Sequence, residues 1–274
     1  MILRPVLTVF ALCSLCISAS AIPGDTQVVL SQSAVTLFSE LEGNSSPFTR
    51  PSWFTSTLMA RRLLALSPSG VISTVFPDSV SPRTPPSMAG LPIGLREYIA
   101  DCEGALPDGL SHGENGDPTV LGLGIGTTFR NIQAGSNVSL QLDWWDHLDQ
   151  AGPVYPGLPL SPAALPRVTL FGYLEPLPSL SDRAAVQLEK CFLTSHPDAK
   201  AWLPGNSRSP HSSFWARLVV TQAYWIGGFG DVQQIGWINI SDWKGIRRYE
   251  SGGRDRRGWK DVRLPGEHDE HSRQ

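Results

Sequence analysis

The sequence predicts an α+β fold in which helices cover the ends of a small β-barrel. Several short stretches are rich in β-branched and aromatic residues or alternate between apolar and polar residues, as strands do. Only two stretches place apolar residues at helical spacing. The 274 residues include 9 Trp, 23 Pro and 26 Gly, a composition that favours many short strands and turns over long helices.

The N-terminus is typical of a signal peptide spanning residues 1–21. A basic start at Arg4 precedes the apolar run Val6–Ile17, which is too short to cross a bilayer. Small residues at Ala19 and Ala21 then predict cleavage before Ile22. The alternative is a buried core helix. We therefore expect a protein that is secreted or delivered to an endomembrane lumen, such as a vacuole or a lysosome-like compartment.

Composition divides the remaining chain into three parts. Residues 22–50 are weakly patterned and are predicted to be an N-terminal arm or a propeptide. Residues 51–247 contain the predicted strands and helices and form the barrel domain. Residues 248–274 are rich in charge and poor in apolar groups, so we expect a disordered tail. Its basic residues alternate with acids, which favours a solvated segment over a polyanion site.

The first predicted helix begins after Ser52 and ends before residues 67–70 (Ser-Pro-Ser-Gly). One face carries Met59, Leu63 and Leu66. Arg61 and Arg62 fall on another face, which we expect to be solvated. The second helix is predicted over residues 182–194, with Ser181 or Asp182 as its cap.

The stretch Phe214–Ile240 is the most apolar part of the domain. Two apolar runs flank Gly227-Gly228-Phe229-Gly230, which predicts a central core hairpin or a strand pair joined by a bulged turn. Further strands are predicted over residues 71–76, 91–99, 120–126, 137–145 and 168–174. The run 120–126 contains G-x-G-x-G, but no third glycine in the required register and no long helix follows. A dinucleotide site is therefore disfavoured.

Cysteines and sequons agree with a secretory route. Once a signal peptide is removed, Cys102 and Cys191 remain, and an oxidising compartment would allow them to pair. The sequence alone leaves a disulfide and two separate thiols equally open. Asn-x-Ser triplets predict N-glycosylation at Asn44, Asn137 and Asn239.

Other functional classes find little support in the sequence. A net charge of −3 gives no reason to expect nucleic acid or a membrane surface as a partner. The six His show no metal-ligand spacing, and no G-x-S-x-G nucleophile motif occurs. Asp143, Asp146 and Asp149 lack the Gly and Glu pattern of an EF-hand. We therefore expect no metal site and assign no catalytic residue.

Taken together, several segments in a fixed order resemble a known family. The segments are residues 60–64 (ARRLL), 70–74 (GVIST), a strand followed by a turn that ends in residues 128–132 (TFRNI), 166–172 (PRVTLFG), 196–199 (HPDA), 214–218 (FWARL) and 225–230 (WIGGFG). They span roughly residues 54–246 and are similar to the CREG-like branch of the pyridoxamine 5′-phosphate oxidase-like, FMN-binding split-barrel superfamily.

The resemblance implies a six-stranded antiparallel split β-barrel with flanking helices that forms a homodimer. In flavin-binding members FMN lies in a groove at the dimer interface. Matching positions here are Ser73, Thr74, Thr127, Thr128, Arg130 and Asn131. CREG-like members are secreted or lysosomal glycoproteins and generally not flavin enzymes.

The supply of cations argues against FMN in this chain. A phosphate dianion is normally held by several charge-assisted donors, often from Arg or Lys. Between residues 71 and 147 there are three Arg and no Lys, and only Arg130 falls at a matching position. Asp143 and Asp146 would repel phosphate. We expect a non-catalytic binding protein without cofactor, whose protein or small-molecule partner is unknown. The alternatives are an FMN-dependent oxidoreductase and a haem- or tetrapyrrole-handling protein, although no His or Cys is placed as an axial ligand.

Overall fold

The computed structural model describes residues 49–79, 81–106, 115–153, 160–177, 180–230, 232–249 and 256–267. The predicted signal peptide, residues 22–48 of the predicted arm and the sequon at Asn44 lie outside these ranges. Within them, no helix combines the length and apolar character needed to cross a bilayer.

Seven antiparallel strands build the sheet. They are β1 (Ser69–Val75), β2 (Pro92–Ala100), β3 (Thr119–Leu123), β4 (Val138–Asp143), β5 (Arg167–Pro176), β6 (Ser213–Ile226) and β7 (Ile235–Ile238). Their order is β3-β2-β1-β4-β5-β6-β7, and β3 also pairs with β6. The first six strands of this order therefore close into a barrel, which confirms the predicted fold class. The described residues add four α-helices: α1 (Trp53–Leu66), α2 (Thr127–Gln133), α3 (Asp182–Ser195) and α4 (Ile240–Gly245).

Strand β6 is the longest strand and connects the barrel to β7. One edge pairs with β5, and the other is shared by β3, along residues 213–217, and β7, along residues 223–226. Asp117 lies between these two ladders, and its Oδ1 accepts the Val220 N–H at 2.7 Å. Lys244 forms an ion pair with the same carboxylate. The predicted hairpin is thus present, but only its first strand is central, because β7 ends the sheet.

The glycine-rich turn closes the hairpin through its backbone. The N–H of Gly227 donates to the carbonyl of Gln234 at 3.0 Å. Gly228 has a φ of 141°, and a Cβ there would lie 2.5 Å from the carbonyl oxygen of Ala164. Both conditions require glycine.

The ladder between β2 and β3 is the shortest of the sheet, with two residue pairs against three between β1 and β4. Ile99 pairs with Val120 and Ala100 pairs with Thr119, and the register extends no further. Helix α3 lies beside this junction. His196, at the end of α3, is buried, and its Nε2 lies 2.8 Å from the carbonyl oxygen of Ile99.

A disulfide also joins α3 to this junction. Cys102 follows β2, Cys191 lies in α3, and their Cα atoms are 5.9 Å apart. A second hydrophobic cluster, separate from the barrel interior, surrounds the bridge and includes Leu188, Phe192 and Trp215.

Helix α1 is buried on more of its surface than its sequence suggests. Ser52 caps it by accepting the Thr55 N–H at 3.1 Å, as predicted. Arg61 and Arg62 are buried, however, so the prediction of a solvated arginine face was wrong. Arg61 Nη1 donates to the carbonyls of Trp243 at 2.8 Å and Ile246 at 3.0 Å. Helix α4 and the residue after it therefore cover this face.

Residues 256–267 also pack on α1, which corrects the predicted disordered tail (residues 248–274) for this part alone, since residues 250–255 and 268–274 lie outside the described ranges. Val262 and Leu264 are buried in the main core cluster. Arg62 Nε donates to Glu267 Oε2 at 2.6 Å, and Trp144 Nε1 donates to the carbonyl of Pro265 at 2.9 Å. The few apolar residues of this segment suffice because they complete a core that other elements have already formed.

Candidate functional site

The six candidate residues lie on β1 and α2. The family resemblance predicts a turn at residues 127–131, but these residues form most of helix α2. Phe129 anchors this helix, since it is buried and packs edge-to-face on Phe214 with ring centroids 5.6 Å apart. Asn131 Nδ2 donates to the hydroxyl of Thr74 at 3.1 Å, and both residues are buried. These two candidates satisfy each other and hold α2 on β1.

Thr128 meets a residue that the sequence did not single out. Its hydroxyl donates to Glu97 Oε1 at 2.6 Å, and the Thr128 side chain is buried. Glu97 lies on β2 opposite Gly70 of β1. Burial raises the pKa of Glu97, and the hydrogen bond from Thr128 offsets part of that rise. A partly buried carboxyl group thus occupies the position next to the candidate hydroxyl.

The alternation of Leu95, Glu97 and Ile99 along β2 indicates in the sequence which face of the strand carries the acid. Alternate residues of a strand share one face, and Ile99 is buried in the barrel core. Glu97 therefore belongs to the inward face of β2. An acid in an inward register was visible in the sequence, but the partner that it would meet was not.

The remaining candidates do not join this group. Ser73 neighbours Thr74 on β1, so the two side chains point to opposite faces of the strand. On its own face, Ser73 lies near Gly94, whose absent Cβ would be 3.3 Å from Ser73 Oγ. Arg130 is exposed and Thr127 is half-buried. The structure therefore pairs Asn131 with Thr74, pairs Thr128 with Glu97, and leaves the one candidate cation, Arg130, in solvent.

This arrangement does not fit the phosphate of FMN. The Thr128 hydroxyl and one N–H of the Asn131 amide already donate to groups within the protein. The group that meets Thr128 is a carboxyl, which repels an anion when ionised. A dianion needs several free or cationic donors, and these positions provide none that converge. We derive no flavin chemistry from them.

Neither of two cavities in the described part of the chain is lined by any of the six candidates. A cavity of about 80 Å³ borders the outer side of β1 and β4 and is lined in part by Arg96, Asp143 and Asp146. Ligand pockets commonly enclose about 300–1,000 Å³. A larger cavity of about 640 Å³ lies along α3, with Arg183 and Lys190 in its wall, and contains none of the six candidates.

Metal ligands are similarly dispersed. Across the described ranges, no three side chains from His, Cys, Asp and Glu come close enough to hold an ion. His196 stacks on Tyr98 with centroids 4.4 Å apart, and His147 stacks on Trp144 with centroids 3.4 Å apart. Both rings are packed against aromatic neighbours within the domain.

Two predicted glycosylation sites lie on the surface. Asn137 is exposed immediately before β4. Asn239 is exposed between β7 and α4, where its Oδ1 accepts the N–H of Ser241 at 2.9 Å and caps the helix. An N-linked sugar is attached through Nδ2, so neither site requires unfolding for access.

A closed six-stranded antiparallel barrel with flanking helices defines the chain as a split-barrel protein. A model of the family described as "CREG, beta-barrel" matches residues 53–244. Because this match covers more than half of the chain, the chain belongs to the CREG beta-barrel family. The predicted family resemblance is confirmed. No curated protein matches the chain.

Several solved structures share the backbone arrangement at low identity. A heme-binding protein from Mycobacterium smegmatis is 18% identical, with a TM-score of 0.47, and the match covers 72% of this chain and 61% of that protein. An FAD-binding protein from Mesorhizobium loti is 18% identical, with a TM-score of 0.35 and coverages of 61% and 90%. HutZ, the heme storage protein from Vibrio cholerae, is 14% identical, with a TM-score of 0.37 and coverages of 63% and 94%. No ligand of this chain follows from these likenesses.

Proposed function

We propose that this chain is a glycoprotein of the secretory route, released from the cell or kept in an endomembrane lumen, that acts by binding and not by flavin catalysis. The observation that carries the proposal is the hydrogen bond from Thr128 to Glu97. This bond occupies the hydroxyl donor of Thr128 and places the carboxyl of Glu97 at the position where flavin-binding relatives are expected to hold phosphate. Membership of the CREG family supports the secretory part, as do the apolar N-terminal run and the sequons.

The proposed absence of flavin binding is tested by titrating the purified chain with FMN. The protein should be colourless as isolated. FMN added to micromolar protein should fluoresce as it does in buffer alone. Glu97→Gln removes the negative charge with little change of shape and tests whether this charge excludes FMN. Arg130→Ala removes the one candidate cation and tests whether any uptake of FMN depends on it. Flavin absorbance in the isolated protein, or uptake that Arg130→Ala abolishes, would instead favour the FMN-dependent oxidoreductase.

The proposal includes a homodimer, as the family resemblance implies. Light scattering across micromolar concentrations should give twice the mass of one chain. A single-chain mass throughout that range would reject the dimer and leave the proposed binding role untouched.

The secretory route has its own test. When the full chain is expressed in a eukaryotic cell, it should appear in the medium or in a vacuolar or lysosome-like fraction, starting at Ile22 and carrying N-linked sugar. Retention in the cytosol with an intact Met1 and no sugar would contradict this part of the proposal.

A further inference from the structure

An aromatic cluster lies exposed on the outer face of β5, β6 and β7. Trp237 of β7 packs against Tyr224 of β6 with ring centroids 5.1 Å apart, and against Phe171 of β5 at 5.6 Å. Trp237 is nonetheless 57% exposed, more than any other tryptophan among the large hydrophobic side chains at the described surface. A large indole left in water is unfavourable unless something covers it.

The sequon at Asn239 lies two residues after this indole. Residues 235 and 237 face outward along β7, whereas Ile238 is buried. Asn239 keeps an extended backbone, with φ −63° and ψ 121°, so its side chain emerges on the same side as Trp237. Two residues of a strand span about 7 Å. The first sugar of a glycan attached to Asn239 is therefore within reach of the indole.

The helix cap restricts how Asn239 can point. Its Oδ1 accepts the N–H groups of Ser241 at 2.9 Å and Asp242 at 3.4 Å. Attachment of sugar modifies Nδ2 and leaves Oδ1 free to accept these bonds. The cap is thus compatible with glycosylation and reduces the freedom of the linkage, which lowers the entropy lost when the sugar orders on the protein.

We propose that the N-linked sugar on Asn239 packs its first N-acetylhexosamine ring on Trp237 and covers the aromatic cluster of Phe171, Tyr224 and Trp237. One face of a pyranose ring presents C–H groups, which carry a small positive charge and are apolar. The face of an indole is negative and apolar, so the two surfaces are complementary. The inference rests on the proposed glycoprotein function and adds a structural role for one particular site.

Asn137 provides a control within the same chain. It is also exposed and also belongs to an Asn-x-Ser triplet, but the residue two positions before it is Gly135. A sugar at Asn137 has no aromatic ring at the corresponding position. Trp145, which is 46% exposed and follows β4, provides a control for tryptophan reactivity.

The decisive experiment is oxidative footprinting of the full chain from a eukaryotic secretory host. An endoglycosidase trims each glycan to one N-acetylglucosamine, and hydroxyl-radical oxidation is read at single residues by mass spectrometry. Ser241→Ala removes the sequon at Asn239 while keeping the capping residue, and Ser139→Ala removes the one at Asn137. Oxidation of Trp237 should be severalfold slower in the trimmed wild type than in Ser241→Ala. Trp145 should react equally in both, and Ser139→Ala should match the wild type.

A second measurement guards against misfolded variants. If the sugar contributes as much as an aromatic pair, the Tm of the trimmed wild type should exceed that of Ser241→Ala by about 2–4 °C. The difference should vanish when both carry Trp237→Leu, which keeps an apolar side chain but removes the aromatic face.

The outcomes separate this inference from the proposed function. Sugar present at Asn239 with equal oxidation of Trp237 in the trimmed wild type and Ser241→Ala overturns the inference alone. Protection that persists without sugar and grows with protein concentration assigns the face to a second copy of the chain, and also overturns it. A chain that carries no sugar at Asn44, Asn137 or Asn239 removes the glycoprotein proposal as well.

Discussion

The hydroxyl of Thr128 lies 2.6 Å from the carboxyl of Glu97, joining α2 to the inward face of β2. The contact is an internal hydrogen bond to an acid. Burial makes ionisation of Glu97 unfavourable, and Thr128 recovers only part of the lost hydration. The same carboxyl that disfavours phosphate therefore also links the stability of the barrel to pH.

The first prediction concerns Glu97 and pH. Its folded-state pKa is raised above the ordinary value of 4.5, mainly by burial. Between these two values the folded chain binds more protons than the unfolded chain, so its stability falls as pH rises through that window. Glu97→Gln should therefore raise the Tm relative to wild type above the window and leave it nearly unchanged below pH 4.5. Thermal unfolding across pH measures the difference, and a pH-independent difference would contradict it.

The second prediction concerns Arg62 and Glu267, and its pH dependence has the opposite sign. Burial by itself would raise the pKa of Glu267, but the bonds from Arg62 and the Leu264 N–H, with the charges of Arg62 and Arg263, lower it overall. The stability contributed by ionised Glu267 is therefore fully present above the ordinary pKa of 4.5 and is lost as pH falls through the folded-state pKa.

Removal of the Glu267 charge tests this pair directly. Glu267→Gln should lower the free energy of unfolding at neutral pH by about 2 kcal/mol, somewhat below the effect for a fully buried pair. Asp149→Asn, at an exposed position, should change it by less than about 0.5 kcal/mol. Equal effects of the two variants would indicate that residues 256–267 contribute little to stability.

The third prediction concerns the disulfide. Cys102 and Cys191 are 89 residues apart, so their bond restricts a long loop in the unfolded chain. Replacing both with Ser should lower the free energy of unfolding by about 2–5 kcal/mol, as measured by chemical denaturation. Reductant should lower the wild-type value to that of the variant and leave the variant unchanged. Insensitivity of the wild type to reductant would refute the prediction.

The fourth prediction concerns the irregularity between β5 and β6. The register shifts between Phe171 and Gly172, and a Cβ on Gly172 would lie 1.9 Å from the carbonyl oxygen of Val219. That oxygen belongs to the backbone, so no rotamer change can relieve the overlap. Gly172→Ala should cost at least about 2 kcal/mol of stability. At Gly245 a Cβ meets nothing within 4 Å, so Gly245→Ala is the matched control and should be nearly neutral. Similar Tm values for the two variants would count against this account.

Local patterns predicted most strands because each strand carries its own signal. The alternation of Val138, Leu140 and Leu142 predicted a half-buried strand, and β4 covers residues 138–143. Helix α2 was predicted as a turn because its seven residues include adjacent threonines and begin without a side-chain cap. Packing of Phe129 and Asn131 on the barrel supplies the stability that local propensity lacks.

Which residues share one face of a helix was easier to predict than what packs against that face. Helical spacing placed Arg61 and Arg62 on one side of α1 but could not show what packs there. Trp243 and Glu267 meet these arginines from more than 180 positions along the chain. For the same reason, the six candidates could be identified by resemblance while their mutual contacts could not. Whether a hydroxyl faces a ligand or a carboxyl depends on strand register and barrel closure.

The short junction between β2 and β3 gives the barrel one weak seam. Only Ile99 and Ala100 pair across it, whereas β6 is paired along both edges. We therefore expect local opening to begin at this seam, which has the fewest residue pairs of the barrel ladders. Helix α3 holds the seam from outside through Cys191 and His196. Barrel closure is thus coupled to thiol oxidation, and a reduced chain would begin to open between β2 and β3.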